Sequence, residues 1–233
     1  MTAEETNLHR PWEVRPLSAA DVPQAAALHR QVFADYFLGH LGQRFLELFY
    51  AQFVSHPKNY GWVAVDPRQH IIGCVLATTD APNLYKQFYR QHFVSLAGIL
   101  AVRLVADPYV RRHLASRLVH LRYALGSWRA RGQGRPAPPK LNPSATPARL
   151  LSIGVAPEYR GQGIARALTQ HLCAQLRAEG WEQVGLSVRP DNATALAFYY
   201  RDGWQVEQTT STAVYLVRPT QTCTTSSCKE PDA

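Results

Sequence analysis

The fold is decided by residues 150–166, which read LLSIGVAPEYRGQGIAR. The first six residues are mostly apolar, which is typical of a buried β-strand. Pro157 ends this strand because proline has no N–H to donate to a neighbour. From Ile164 onward, apolar residues recur at helical spacing. We therefore expect a strand, a short turn and a helix.

The turn carries small residues at positions where bulky side chains would block a ligand: Arg160-Gly161-Gln162-Gly163-Ile164-Ala165. A glycine turn that leads into a helix leaves N–H groups unpaired at the positive end of the helix dipole, which is typical of a phosphate site. Glycine also occurs in such turns for geometry alone. The turn lacks the Lys-Ser/Thr of a nucleoside-triphosphate loop and the third glycine of a dinucleotide fingerprint. What remains is a pyrophosphate site that needs no metal and no lysine.

Composition indicates a globular protein with one large core, or one core with an appendage, because 46% of the 233 residues are hydrophobic. Residues 1–10 are polar, unlike a signal peptide, and no apolar run approaches the roughly 20 residues that cross a bilayer. The four cysteines show no metal-ligand spacing: Cys74, Cys173, Cys223 and Cys228. We expect Cys74 and Cys173 to be buried thiols in a cytosolic, reduced protein.

Apolar periodicity predicts alternating helices and strands on both sides of this stretch. Before it we expect a strand at residues 12–17, a helix from Ser18 to about Phe37, a helix around residues 45–53, and a hairpin of residues 60–65 and 71–78. After it we expect a helix from Ile164 to about Glu179, a strand at 183–188, a helix at 193–201, and a hairpin of 204–207 with 213–217.

Residues 80–148 interrupt this order and are strongly basic. Two helical runs, 83–105 and 114–125, are divided by Pro108, and an Arg-, Gly- and Pro-rich linker follows them. The segment holds eleven Lys or Arg against two Asp and no Glu, a net charge of +9, whereas the whole chain carries +8. Three interpretations remain open: a helical hairpin over the substrate cleft, a platform for an anionic surface, or electrostatic selection of an acidic acceptor.

Two stretches resemble the motifs of one family. Arg160-x-x-Gly163-x-Ala165 is similar to the acyl-CoA pyrophosphate motif of the GNAT superfamily of N-acetyltransferases. The second stretch, Asn192-x-x-Ala195-x-x-Phe198-Tyr199-x-x-x-Gly203-Trp204, resembles that family's second motif, with tryptophan where phenylalanine is commoner. One predicted helix and one predicted strand separate the motifs, as in the family. The close match covers residues 150–217.

The resemblance implies an α/β fold with a GNAT-like mixed, mostly antiparallel central sheet flanked by helices. We expect residues 1–218 to form a single acetyltransferase domain. Within it, residues 80–148 would be a basic helical insertion between strands 3 and 4, followed by the Pro/Gly-rich linker. Residues 219–233, rich in Thr, Ser and Cys, are expected to be a disordered tail.

The resemblance also implies how acetyl-CoA, the acyl donor of the family, would be bound without a metal. Pantetheine would lie in a gap between strands 150–155 and 183–188, bonded to the backbone of Ile153, Gly154 and Val155. The Val155 N–H would polarise the thioester carbonyl. The pyrophosphate would be held by seven consecutive residues: Arg160, Gly161, Gln162, Gly163, Ile164, Ala165 and Arg166.

Two residues of the following helix complete the implied site. Asn192 would contact the cofactor, although asparagine at this position is also a preferred helix cap. Tyr199 would donate a proton to the departing sulfur, and the alternative is a core aromatic on an amphipathic helix. Tyr200 beside it shows that tyrosine alone is not diagnostic, but the motif register favours Tyr199.

One position departs from part of the family. In ribosomal-protein alanine N-acetyltransferases, a glutamate five residues before the motif asparagine acts as general base, and Ser187 stands there in this chain. A serine hydroxyl cannot accept a proton near neutral pH without another base. A water chain or a distant acid would then deprotonate the amine, or the amine would arrive neutral. Asp35, Glu47 and His70 are candidate bases.

These features predict an acetyl-CoA-dependent N-acetyltransferase that acts on a primary amine of a small molecule, of the amino sugar or amino acid type. The alternatives are protein or peptide N-acetylation, and a CoA-binding module that docks on anionic surfaces. Membrane association would involve residues 83–131. Nucleic acid is not an expected partner, because no RNA- or DNA-binding motif occurs.

Overall fold

The central feature of the structure, a computed structural model that describes residues 11–112 and 146–221, is a seven-stranded sheet. The strands are β1 (Glu13–Pro16), β2 (Asn59–Val65), β3 (Ile71–Thr78), β4 (Arg149–Val155), β5 (Gln183–Val188), β6 (Gln205–Thr209) and β7 (Val214–Pro219). Their spatial order is β1-β2-β3-β4-β5-β7-β6. Neighbouring strands are antiparallel except β4 and β5, which are parallel. The predicted mixed, mostly antiparallel sheet is confirmed.

Helices cover both faces of this sheet. Those with defined bounds are α1 (Val22–Val32), α2 (Phe37–His40), α3 (Gln43–Ser55), α4 (Ala81–Gln91), α5 (Phe93–Ala106), α6 (Ile164–Ala178) and α7 (Ala193–Arg201). Helix α6 packs on one face through Leu168, Leu172 and Leu176, which are fully buried and repeat at helical spacing. Helices α1 and α3 pack on the other face. Strands β2 and β3 supply both cores because their side chains alternate between the two faces.

The predicted elements around the glycine turn are confirmed. Helix α6 begins at Ile164, and Gly180, with a φ of 84°, follows its last turn. The Trp181 N–H donates to the Leu176 carbonyl at 2.9 Å, which closes the helix. Strand β5 and helix α7 have the predicted bounds, and the strands of the C-terminal hairpin, β6 and β7, both end two residues later than expected.

Two predicted helices were too long. Helix α1 ends at Val32 rather than Phe37, because the chain leaves helical geometry at Phe33 (φ −118°). The predicted helix 83–105 is divided at His92 (φ −111°) into α4 and α5. Apolar spacing could not reveal either interruption, since the apolar residues on both sides keep the helical period.

Helices α4 and α5 lie between β3 and β4, and residues 108–112 are helical again. The predicted helical run 114–125, most of the linker and the tail with Cys223 and Cys228 lie outside the described residues. Cys74 and Cys173 are buried free thiols, as predicted. None of the described helices combines the length and apolar character needed to cross a membrane.

Candidate active site

Strands β4 and β5 begin as neighbours and then separate. Arg149 faces Gly185 as the one aligned pair of these strands in the described sheet, and the Gly185 N–H donates to the Ala148 carbonyl at 2.9 Å. Each strand remains paired along its other edge, β4 with β3 and β5 with β7. The two strands predicted to diverge therefore do so, and a gap opens between them beyond Arg149.

The register of β4 determines which of its backbone groups face this gap. The Ala156 N–H donates to the Ile72 carbonyl at 2.8 Å, so Ala156 points toward β3. Backbone groups alternate between the two edges of an antiparallel strand. The N–H and C=O groups of Val155 and Ile153 therefore point into the gap, whereas those of Gly154 point toward β3.

Arg160 and Gly154, two of the predicted site residues, shape the edge of β4 that faces the gap. Arg160 Nε donates to the Val155 carbonyl at 3.2 Å, which leaves the Val155 N–H as the available group of that residue. Gly154 allows the end of α1 to approach, since a Cβ there would lie 3.1 Å from Phe33 and 3.2 Å from Val32. Gly154 thus has a packing reason for being glycine.

The glycine turn is open to solvent. Gly161 and Gly163 have φ values of 81° and 82°, and a Cβ at either position would meet no atom within 4 Å. The first backbone bond of α6 runs from the Ala167 N–H to the Gly163 carbonyl at 3.0 Å. The N–H groups of residues 164–166 therefore have no acceptor within the helix. The side chain of Gln162, within the turn, is exposed to solvent.

Packing fixes the turn relative to the gap. Gly73 of β3 lets the start of α6 sit close to the sheet, since a Cβ there would lie 2.9 Å from the Ile164 side chain. Buried Asp202, just after α7, accepts from Thr169 at 3.1 Å and also pairs with Arg218 of β7. Arg166 Nε lies 3.9 Å from the same carboxylate. These contacts join α6, α7 and β7 around the site.

Asn192 caps the N-terminus of α7, which confirms the prediction that it is a helix cap. Its Oδ1 accepts from the Ala195 N–H at 3.1 Å, while its Nδ2 donates to the Tyr36 hydroxyl at 3.0 Å. The side chain also lines the cleft described below. Its contact with a cofactor stays a prediction.

Tyr199 is 7% exposed and also lines the cleft. Its ring packs edge-on against Trp204, with centroids 5.5 Å apart. Burial, and then nearby Tyr36 and Asp202, raise the pKa of Tyr199 above its usual value. The phenol is therefore protonated near neutral pH and available as a proton donor. Tyr200, in contrast, is 49% exposed and is absent from the lining.

A cleft of about 350 Å³ passes through the sheet between the diverging strands. One wall comes from α7, which packs into the same core as α6, and we call this side the α6–α7 layer. The other wall comes from α1, α3, α4 and the segment between α1 and α3, which we call the α1–α4 layer. The lining residues are His29, Phe33, Tyr36, Phe37, Leu38, Phe49, Tyr85, Leu150, Leu151, Ser152, Ile153, Leu186, Ser187, Val188, Arg189, Asn192, Ala195 and Tyr199.

The three candidate bases named from the sequence do not line this cleft. The Asp35 carbonyl accepts from Tyr109, Glu47 accepts from Gln43, and exposed His70 pairs with Asp66. No Asp or Glu occurs among the lining residues that the structure describes. The same part of the chain contains no group of three His, Cys, Asp or Glu side chains arranged to hold a metal.

Sequence reasoning missed the titratable group on the α1 side of the cleft. His29 is buried, and its Nδ1 lies 3.1 Å from the Tyr50 hydroxyl, which in turn lies 3.4 Å from Cys74 Sγ. Burial lowers the pKa of His29 to about 4, so the imidazole is neutral at pH 7. No sequence signal distinguishes this histidine from other polar residues of α1.

Comparisons with known proteins agree with this geometry. Residues 125–204 match the model of the Acetyltransferase (GNAT) family. The chain is 44% identical over 52 residues to the ribosomal protein bS18-alanine N-acetyltransferase of Escherichia coli (strain K12), covering 22% of this chain and 35% of that protein. It is 39% identical over 62 residues to the mycothiol acetyltransferase of Beutenbergia cavernae, covering 27% and 21%. The chain thus spans about a third or less of these relatives.

Solved structures share the fold over more of the chain. The structure of SsHAT has a TM-score of 0.57 at 23% identity and covers 91% of this chain and 100% of its own. The PaiA N-acetyltransferase from Thermoplasma acidophilum, in complex with coenzyme A, has a TM-score of 0.50 at 14% identity, with coverage of 90% and 99%. The chain therefore shares the fold of these solved structures, and residues 125–204 resemble the GNAT family.

Proposed function

We propose that this protein is an acetyl-CoA-dependent N-acetyltransferase that acetylates a primary amine of a small molecule. The observation that carries the proposal is the gap between β4 and β5, since it leaves one edge of β4 without a strand partner beside the glycine turn. An extended pantetheine chain can bond to such an edge like an added strand, and a pyrophosphate can bond to such a turn.

The residues of the turn fit a diphosphate. The space around Gly161 and Gly163 is open, and the N–H groups of residues 164–166 lie at the positive end of α6. Arg160 and Arg166 are exposed on either side and add positive charge. Because the turn belongs to the α6–α7 layer, acetyl-CoA would enter the cleft from that side. The amine would then enter from the α1–α4 side.

The chain contributes two groups to the reaction. The Val155 N–H would stabilise negative charge on the thioester oxygen while the amine nitrogen bonds to the carbonyl carbon. Tyr199 would donate its hydroxyl proton to the sulfur as the carbon–sulfur bond breaks. The proton lost by the new amide nitrogen would restore the phenol through water. This balance needs no other reactant.

The alternative acceptor is an amino group of a protein or peptide. The name of the Escherichia coli relative supports it, whereas Ser187 and the absence of a carboxylate among the described lining residues weaken it. Peptides with a free N-terminal amine, offered beside amino sugars and amino acids in a thiol-release assay, would distinguish the two acceptor classes.

Acetyl-CoA binding tests the donor site. We expect Gly163→Ala to weaken binding about tenfold or more by calorimetry, because the new methyl group restricts approach to the amides and the left-handed backbone resists alanine. The matched control is Gly180→Ala at the other end of α6, where φ is 84° and the surroundings are equally open. Both variants should lose about 1 kcal/mol of unfolding free energy, and only the first should lose affinity. Absence of acetyl-CoA binding by the unaltered chain would show the donor site to be wrong.

Turnover tests the role of Tyr199. Tyr199→Phe should lower kcat about 100-fold with an unchanged acetyl-CoA Kd, because it removes only the proton donor. Tyr200→Phe is the control, since that neighbour lies outside the cleft lining, and it should leave kcat unchanged. Equal rates for the two variants would remove Tyr199 from this role.

A second candidate function, docking of the CoA-bound protein on an anionic lipid bilayer, is supported by α5. The exposed residues of this helix carry no charge, and Val94 and Val105 are 83% and 80% exposed. Exposed cations precede and follow it along the chain: Lys86, Arg90, Arg111 and Arg112. An apolar helix face bordered by basic residues is typical of interfacial membrane binding.

Vesicle sedimentation tests this candidate. The full chain should bind phosphatidylcholine vesicles that contain phosphatidylglycerol, and added salt should weaken the binding. The double variant Val94→Asp/Val105→Asp should lose it, while Val206→Asp, at an exposed apolar position of β6, should retain it. If the unaltered chain stays in the supernatant with anionic vesicles, α5 is not a lipid-binding surface.

A further inference from the structure

The wall of the cleft on the α1–α4 side is mainly aromatic and aliphatic, with His29 as its titratable group. Phe33 and Tyr36 follow α1, Phe37 belongs to α2, Phe49 to α3 and Tyr85 to α4. The rings support one another: Phe33 packs edge-on against Tyr36 at 5.6 Å, and Phe49 stacks with Tyr85 at 6.4 Å. The turn after α1 and the three helices α2, α3 and α4 therefore converge to build a largely apolar wall.

This wall offers no counter-ion for a second positive charge. His29 is neutral near pH 7, and the described lining residues include no carboxylate. Among the lining residues in the described part of the chain, Arg189 is the one cation; it pairs through Nε with Asp191 at 2.9 Å and lies 5.7 Å from the centroid of Tyr36. A charge transferred here from water without a partner is strongly disfavoured.

We infer that the acceptor of this protein is a monoamine with an apolar or aromatic body, rather than a polyamine or an amino sugar. The inference rests on the proposed function and narrows its substrate class. A single ammonium can be held by aromatic faces without a carboxylate. The many hydroxyl groups of a sugar, in contrast, would lose their hydrogen bonds to water against this wall.

The apolar wall also suggests how the amine can lose its proton although Ser187 replaces the glutamate base of the ribosomal-protein alanine N-acetyltransferases. An apolar environment disfavours the charged form of an amine and lowers its pKa. A monoamine that enters the cleft therefore loses its proton to solvent more readily than it does in water. The neutral amine, which is the nucleophile, is then formed without a glutamate beside it.

Amine selectivity tests the inference on the full chain with acetyl-CoA. In a thiol-release assay, kcat/KM for 2-phenylethylamine and n-hexylamine should exceed that for glucosamine and spermidine at least about tenfold. Phe37→Ala should lower kcat/KM for 2-phenylethylamine about tenfold with an unchanged acetyl-CoA Kd. Phe93→Ala, which removes a largely exposed ring outside the cleft lining, is the control and should have no effect. If Phe37→Ala does not fold, Tyr85→Ala tests the same wall from the partly exposed side of α4.

The outcomes separate this inference from the proposed function. A preference for spermidine or glucosamine would overturn the apolar acceptor and leave acetyl transfer standing. If acetyl-CoA binds and no amine in the panel is acetylated, the proposed function itself fails. Equal effects of Phe37→Ala and Phe93→Ala would also contradict the assignment of the wall.

Discussion

The hydrogen bonding between β4 and β5 stops almost as soon as it begins, and the candidate site depends on this interruption. Parallel strands in the interior of a sheet normally satisfy their backbone groups along both edges. Here the Gly185 N–H bonds to the Ala148 carbonyl, and the strands then diverge. The inner edge of β4 consequently presents main-chain groups to a cleft, and a ligand with an extended polar chain can complete them.

The surrounding structure keeps this gap open by packing. On one side, the missing side chain of Gly154 admits Phe33, which brings the end of α1 against β4. On the other side, Gly73 admits Ile164, so the start of α6 lies against β3 beside the end of β4. The buried pair of Asp202 with Arg218 then holds α7 and β7 near α6. Each helix layer thus packs against strands that are already paired, β3 with β4 on one side and β5 with β7 on the other. The packing of neither layer requires β4 and β5 to be hydrogen-bonded to each other.

The strand, glycine turn and helix of the proposed donor half could be predicted because local chemistry determines them. Pro157, the two glycines of the turn and the apolar period of α6 act within a few residues of one another, so the sequence pattern was sufficient. Asn192 and Tyr199 were placed by their spacing to that turn. The proposed acceptor half could not be predicted, since its rings come from three separate parts of the chain: the turn with Phe33 and Tyr36, then Phe49 of α3, then Tyr85 of α4. These rings converge because the chain turns after Val32. Apolar periodicity instead predicted that the helix continues to about Phe37, so it could not reveal this turn. The sequence revealed the basic segment through its charge. That the solvent-exposed face of α5 is apolar became evident only from the exposed fractions of its side chains in the structure.

Amide hydrogen exchange at β4 tests the central claim most directly. In the protein without ligand, the Val155 amide should exchange faster than the Ala156 amide, because Ala156 donates to Ile72 and Val155 faces the gap. Saturation with acetyl-CoA should slow exchange at Val155 and leave Ala156 unchanged. If the Val155 amide is already as protected as that of Ala156, and acetyl-CoA does not alter it, the gap is not open and this account of the site is wrong.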